Sequence, residues 1–229
     1  MDFLSIGGAC CTTRSLRDNN LYSLAYPFDY VRSRFIGILD CIKNGYNNFF
    51  PKKIQADNIK NYDYNGRSFR GKYFGFYHHN LLDVNVRNAF IRRFKRLETL
   101  LEDSTKKIAF IRTVCTHDYN EEVKHSEDFI KTMETKYPQK EFLLIFIIPG
   151  QHKTMYYKKV MRNTHIFTLN NNNITKENTG HIYKPIYDFI KNNDLFNMTP
   201  PNKCDSVNIN HNCNMYVKHC NVSPFRDDN

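Results

Sequence analysis

The segment Phe142-Leu-Leu-Ile-Phe-Ile-Ile148, closed by Pro149-Gly150, most restricts what this chain can become. It is too short to cross a bilayer, and it leaves no polar face to turn toward water. A strand that is apolar on both faces belongs in the middle of a sheet covered on both sides, as parallel sheets are. The surrounding pattern agrees. Lys107–Thr113 reads as a strand, Glu121–Lys136 as a helix, Glu141–Ile148 as the buried strand and His152–Met161 as a helix. His165–Leu169 then reads as a strand and Ile182–Ile190 as a last helix. Strands alternating with helices of this length imply right-handed crossovers and a parallel sheet.

Upstream, Phe3–Ile6 reads as a first strand, Gly7-Gly8 as a turn, and Cys10 or Cys11 as the start of a helix. A second helix is expected over Tyr30–Lys43, where Val31, Phe35, Ile38, Leu39 and Ile42 share a face. Positions 45–80 are irregular and aromatic, suiting short strands or a tightly folded loop. Val84–Leu101 is the clearest helix, with Val86, Phe90, Phe94, Leu97 and Leu101 in one stripe. The expected architecture is a single three-layer α/β domain over residues 1–198 with a mostly parallel, Rossmann-like sheet. Residues 199–229 are polar, lack periodicity and read as a disordered tail.

The formal charge is +10, with 33 Lys and Arg against 23 Asp and Glu. Acidic residues are interspersed along most of the chain, so the excess reads first as a solubility feature. It also admits an anionic substrate or nucleic acid as a partner, although no helix-turn-helix, zinc-finger or RNP-like motif appears. No apolar span reaches transmembrane length, and no membrane partner is expected. The start of the chain lacks the basic and apolar regions of a signal peptide. Seven cysteines without a compact framework then favour reduced thiols and a cytoplasmic setting. The Asn-, Lys-, Ile- and Tyr-rich usage is that of an AT-rich coding sequence. Neither the oligomeric state nor the substrate is readable from the chain.

Chemistry is expected at the first turn. A cysteine delivered to a helix start lies near N–H groups that favour its thiolate. Cys10 is the candidate nucleophile, and Cys11, one position on, points elsewhere. A cysteine nucleophile needs a base, usually a histidine held by a third group. His79 is the first candidate and His78 the next, with His181 and His152 behind them. Asp29 is a candidate orienting group or substrate contact, or equally the acceptor of an Asx turn or a helix N-cap. Three arginines are candidates for holding an anionic part of the substrate. Arg17 lies on the first helix. Arg93 falls near 340° on a wheel where the apolar stripe spans 0–80°, whereas Lys95 falls near 180° and is solvated. Arg112 ends a parallel strand, at the edge where such sheets bind ligands, unless an ion pair with Glu121 or Glu122 takes it. Cys204, His211, Cys213, His219 and Cys220 are zinc-compatible types, but their spacing is not a ligand set. No metal and no cofactor is called for.

Three pieces together carry a resemblance: Ser5-Ile6-Gly7-x-x-Cys10, Leu16-Arg17, and Tyr26-Pro27-Phe28-Asp29-Tyr30. They resemble a domain family of unknown function described as papain-like cysteine peptidases, whose pattern is Ser-Leu-Gly-x-x-Cys, Leu-Arg, then Pro-Phe-Asp-Trp. Ile6 and Tyr30 stand in place of Leu and Trp. Phe76-Tyr77-His78-His79-Asn80 and Phe110-Ile111-Arg112-Thr113 are similar as well. The likeness spans roughly the first three quarters of the chain. It implies a cysteine-centred hydrolase, acting on an acyl or amide bond through Cys10. The Gln and the Cys-Gly-Ser-Cys-Trp run of papain itself are absent, and the strand–helix alternation fits a Rossmann-like sandwich rather than the two-part papain arrangement. The other class of function open to this sequence is a non-enzymatic, basic interaction module on an enzyme-like fold, with the Arg87–Arg96 helix as its binding face.

Overall fold

The computed structural model describes residues 1–55, 57–58, 67–114, 122–170 and 174–198. The expected tail, with its cysteines and histidines, lies outside them, as does Glu121.

Five strands form the main sheet in the order β1 (Asp2–Ser5), β6 (Ile108–Thr113), β7 (Phe142–Ile148), β9 (Thr164–Thr168), β8 (Met155–Met161). The pairs β1–β6, β6–β7 and β7–β9 are parallel, and only β8 runs antiparallel to its neighbour. The apolar run is indeed the central strand. Phe142, Leu144, Phe146 and Ile148 enter one core, together with residues of α2 (Phe35–Asn44), α3 (Val84–Glu102) and α4 (Ser126–Lys136). Leu143, Ile145 and Ile147 enter the other, against α1 (Cys10–Asp18) and α5 (Thr179–Asn192). The two-residue alternation of a strand thus feeds two helical layers at once. All seven side chains are buried, and a side chain of that size contributes about 1.5–3 kcal/mol on burial.

A smaller antiparallel sheet lies between α1 and α3 in sequence: β2 (Arg32–Ser33), β5 (Phe74–Phe76), β4 (Arg67–Arg70) and β3 (Asp57–Asn58). Its aromatic residues supply what the irregular stretch hinted at. Phe49 is wholly buried, with the rings of Phe28, Phe74, Phe76, Phe90 and Phe94 around it. Asp83 starts α3 by accepting the Asn85 N–H at 2.8 Å, the usual role of an N-cap carboxylate.

Two expectations are corrected. Residues 152–161 are not a helix: β8 occupies Met155–Met161 as an edge strand. The second helix begins at Phe35 rather than Tyr30. Tyr30 takes a positive φ of 57°, and Arg32–Ser33 pair with Phe74–Gly75 instead.

Among the described residues, no helix is long and apolar enough to cross a membrane.

Candidate functional site

β1 delivers the chain to the carboxyl edge of the sheet, where Gly7 and Gly8 turn it back with φ of 73° and 82°. Glycine is required twice over here. A Cβ on Gly8 would stand 2.0 Å from the Thr113 oxygen, and one on Gly7 would stand 2.2 Å from Ser33 Oγ. The Gly8 N–H donates to Ser33 Oγ at 2.9 Å, which fastens the turn to β2. α1 then begins at Cys10, and no side chain caps its first turn.

The helix presents two different faces. Cys11, Thr12, Thr13, Ser15 and Leu16 are buried. At 100° per residue they occupy the arc from about 100° to 300°, taking Cys10 as zero. Cys10, Arg14 and Arg17 fall at about 0°, 40° and 340° on that wheel, along the remaining stripe. Cys10 is half-buried and Arg17 exposed. Cys11 turns inward, its Sγ 3.3 Å from the Tyr183 hydroxyl. Cys11 therefore faces the core, while Cys10, half-buried, lies on the less buried stripe.

Its thiol is not the standing thiolate expected of a helix start. Burial, reinforced by Cys11, pushes Cys10 up to about 11. Arg32, Arg14 and the backbone pull the other way without prevailing. Among the described residues, no histidine makes a hydrogen bond to Cys10 Sγ, and His79 Nε2 is turned to the Asp29 main chain.

The adjacent histidines differ. His79 directs Nε2 at the main-chain oxygen of Asp29 at 3.4 Å and meets Phe90 edge-on. Burial and Arg93 hold it down to about 4. His78 lies edge-on to Tyr30. Burial lowers it as well, followed by Arg14 and Arg32, the same two guanidinium groups that act on Cys10. His152 and His181 are both exposed.

Asp29 is buried, and its carboxylate accepts from the Tyr26 N–H at 2.8 Å, the Tyr22 hydroxyl at 3.0 Å and Thr13 Oγ1 at 3.2 Å. The carboxylate thus closes back on Tyr26 and on the tyrosine and threonine hydroxyls, and among the described residues Asp29 meets a histidine through its main-chain oxygen. Burial raises this carboxyl to about 6 against those hydrogen bonds and Arg93.

Arg17 stacks on Tyr22 and Tyr30, with Cζ at 4.7 and 5.8 Å from the ring centres. Arg93 reaches inward over Phe90 at 5.0 Å, while Lys95 is exposed, as their wheel positions require. Arg112 is the correction in this set. It is wholly buried and committed to Glu122, with Nε–Oε2 at 2.6 Å and Nη2–Oε1 at 2.9 Å. It also donates to Ile6 O, Ser33 Oγ and Ser33 O. An arginine spent this way holds the turn above it rather than a ligand. In the basic face of α3, Arg87 and Arg96 donate to the main-chain oxygens of Leu81 and Ala25, so that face is partly used up in holding loops.

Arg14, Arg32 and Ser33 were not singled out from the sequence. The i, i+4 spacing of Cys10 and Arg14 could have revealed the first; β2, made by a distant partner, gave no local signal for the others. A cleft of about 660 Å³, with Lys107, Lys140, Glu141, Arg162 and Phe196 in its wall, opens at the opposite, amino-terminal edge of the sheet.

Cys10 thus stands half-buried after the first strand of a mostly parallel sheet, with Arg14 and Arg32 acting on its sulfur, in a cysteine-bearing α/β protein. Residues 1–153 match the model of the family described as "Putative papain-like cysteine peptidase (DUF1796)", and the chain belongs to that family. No curated protein and no solved structure matches the chain.

Proposed function

We propose that the chain is a cysteine-dependent hydrolase of acyl or amide bonds, with Cys10 as nucleophile and His78 as its base. The observation that carries this reading is the place of Cys10: the unpacked stripe of α1, directly after the glycine turn, at the carboxyl edge of the sheet. His78 is favoured over His79 because it shares Arg14 and Arg32 with Cys10, whereas the Nε2 of His79 turns to Asp29. Asp29 and His79 then act as positioning residues that fix the loop carrying Tyr30. Arg17 and Arg93 remain binding candidates, on the rim beside Asp29.

A thiol near 11 and a histidine held neutral imply that proton transfer accompanies attack. Sγ bonds to the carbonyl carbon, its proton passes to His78, and the carbonyl π pair moves onto oxygen. First-turn N–H groups of α1 suit that oxyanion; those of Gly8 and Thr12 do not, being held by Ser33 Oγ and Ala9 O. Collapse expels the amine or alcohol, which takes the proton from His78 and leaves a thioester. Water then adds while His78 accepts its proton, and the acid departs as the sulfur regains a proton.

The test is hydrolysis of p-nitrophenyl acetate and of fluorescently labelled casein by the full chain and by Cys10→Ala. A loss of at least about 100-fold with unchanged thermal midpoint is expected. Equal rates in the two proteins would overturn the assignment.

A further inference from the structure

Resting on the reading of Cys10 as nucleophile, we infer that the substrate is an acidic peptide, whose Asp or Glu side chain two or three residues from the scissile carbonyl is held by Arg14, with Arg32 beside it. The argument starts from the open stripe of α1. Cys10, Arg14 and Arg17 lie within about 60° of one another, so the helix carries a line of cations away from the sulfur. At 1.5 Å per residue, Arg14 stands about 6 Å and Arg17 about 10 Å along the axis from Cys10. An extended peptide advances about 3.3 Å per residue. A chain laid along this stripe with its carbonyl at Cys10 brings its second residue to Arg14 and its third to Arg17.

Arg14 suits a visiting carboxylate because it is uncommitted. It is half-buried, yet makes no hydrogen bond and no ion pair with any described residue. Glu177 lies within its electrostatic reach, but that carboxylate is fully exposed and engaged with Thr175. Arg17 is held against Tyr22 and Tyr30, which fixes its plane while leaving it exposed. Arg32 rests on the Tyr77 ring at 5.2 Å, one residue from the Ser33 that holds the glycine turn. Both Arg14 and Arg32 act on the Cys10 sulfur and on His78. Guanidinium forks hold carboxylates in bidentate fashion, which gives direction as well as charge.

The experiment uses the full chain and two matched peptidyl acyloxymethyl ketones, with Asp or Asn at the second residue from the warhead. Intact mass and peptide mapping read the rate of Cys10 modification. The Asp probe is expected to react at least about tenfold faster, equivalent to about 1.4 kcal/mol, and 0.5 M salt should shrink the difference. Arg14→Gln should abolish it. Arg32→Gln, read alongside, should reduce it and covers the case in which the first variant folds poorly. Modification of Cys10 at equal rates by both probes overturns the acidic subsite and leaves the nucleophile standing. No modification of Cys10 by either probe, while the unfolded chain reacts, overturns both.

Discussion

Arg112 and Glu122 form a bidentate ion pair enclosed beneath the glycine turn, with side chains 0% and 2% exposed. Through Ile6 O and both oxygens of Ser33, the same guanidinium ties β1 to β2 and so sets where α1 starts. Removing one partner leaves a buried charge uncompensated. Arg112→Met or Glu122→Leu alone should cost about 3–5 kcal/mol, and the double variant less than either single one. Urea midpoints at constant m-value measure this.

The glycine turn has its own signature. Gly8→Ala meets both a positive φ and the Thr113 oxygen. A loss of more than about 2 kcal/mol is expected, together with loss of Cys10 reactivity in whatever folds. Gly45→Ala also has a positive φ but meets no neighbouring atom. It should cost less and leave Cys10 unchanged.

Asp29 and His79 touch, and their contributions to stability run in opposite directions with pH. Asp29 is raised from 3.8 to about 6, so the folded state binds the extra proton. Its contribution is greatest below pH 4 and is lost as pH rises through 6. His79 is lowered from 6.5 to about 4, so the unfolded state binds the extra proton, and its contribution grows from pH 4 to 6.5. Each amounts to about 3 kcal/mol at most. Relative to the parent, Asp29→Asn should steepen the rise in stability between pH 4 and 6, and His79→Gln should flatten or reverse it. Comparing each variant with the parent removes the common contribution of His165, which is lowered in the same direction.

The Cys10 thiol offers a direct reading. Because burial pushes it to about 11, its alkylation by iodoacetamide should climb about tenfold per pH unit from 7 to beyond 10. In the urea-unfolded chain the rise should level off near the ordinary thiol value, about 8.5. Mass spectrometry of the Cys10 peptide separates the two cases. A plateau below pH 8 in the folded protein would contradict the burial described here.

The parallel sheet was legible because Phe142–Ile148 has no polar face and because period and length agree along the second half of the chain. β8 was not, for a local reason. Its pairing with β9 slips between Tyr156 and Lys158 and again between Lys159 and Met161, so Met155–Met161 lacks a clean two-residue alternation and its lysines mimic a helix face. Tyr30–Ser33 misled because their conformation is set by Gly75 and Thr13, which are distant in sequence. The placement of Cys10 after the first strand was readable from Gly7-Gly8. The state of its thiol was not, since burial is a property of the assembled fold. The direction of Arg112 turned on one carboxylate ten residues away, an alternative the sequence could name but not decide.

The strand order advances one way, from β1 through β6 and β7 to β9, and β1 is the edge strand beside Cys10. Such a sheet has no reversal point among its parallel strands, and so opens no crevice of its own there. The charged groups that act on the sulfur come instead from α1, with Arg14, and from the insert that carries Arg32. Framework and recognition are thereby divided between different stretches of chain. The few polar side chains that this insert turns toward the sulfur can vary without touching the sheet, whereas Phe28, Phe35, Phe49 and Phe74 of the same insert are built into the hydrophobic core and cannot.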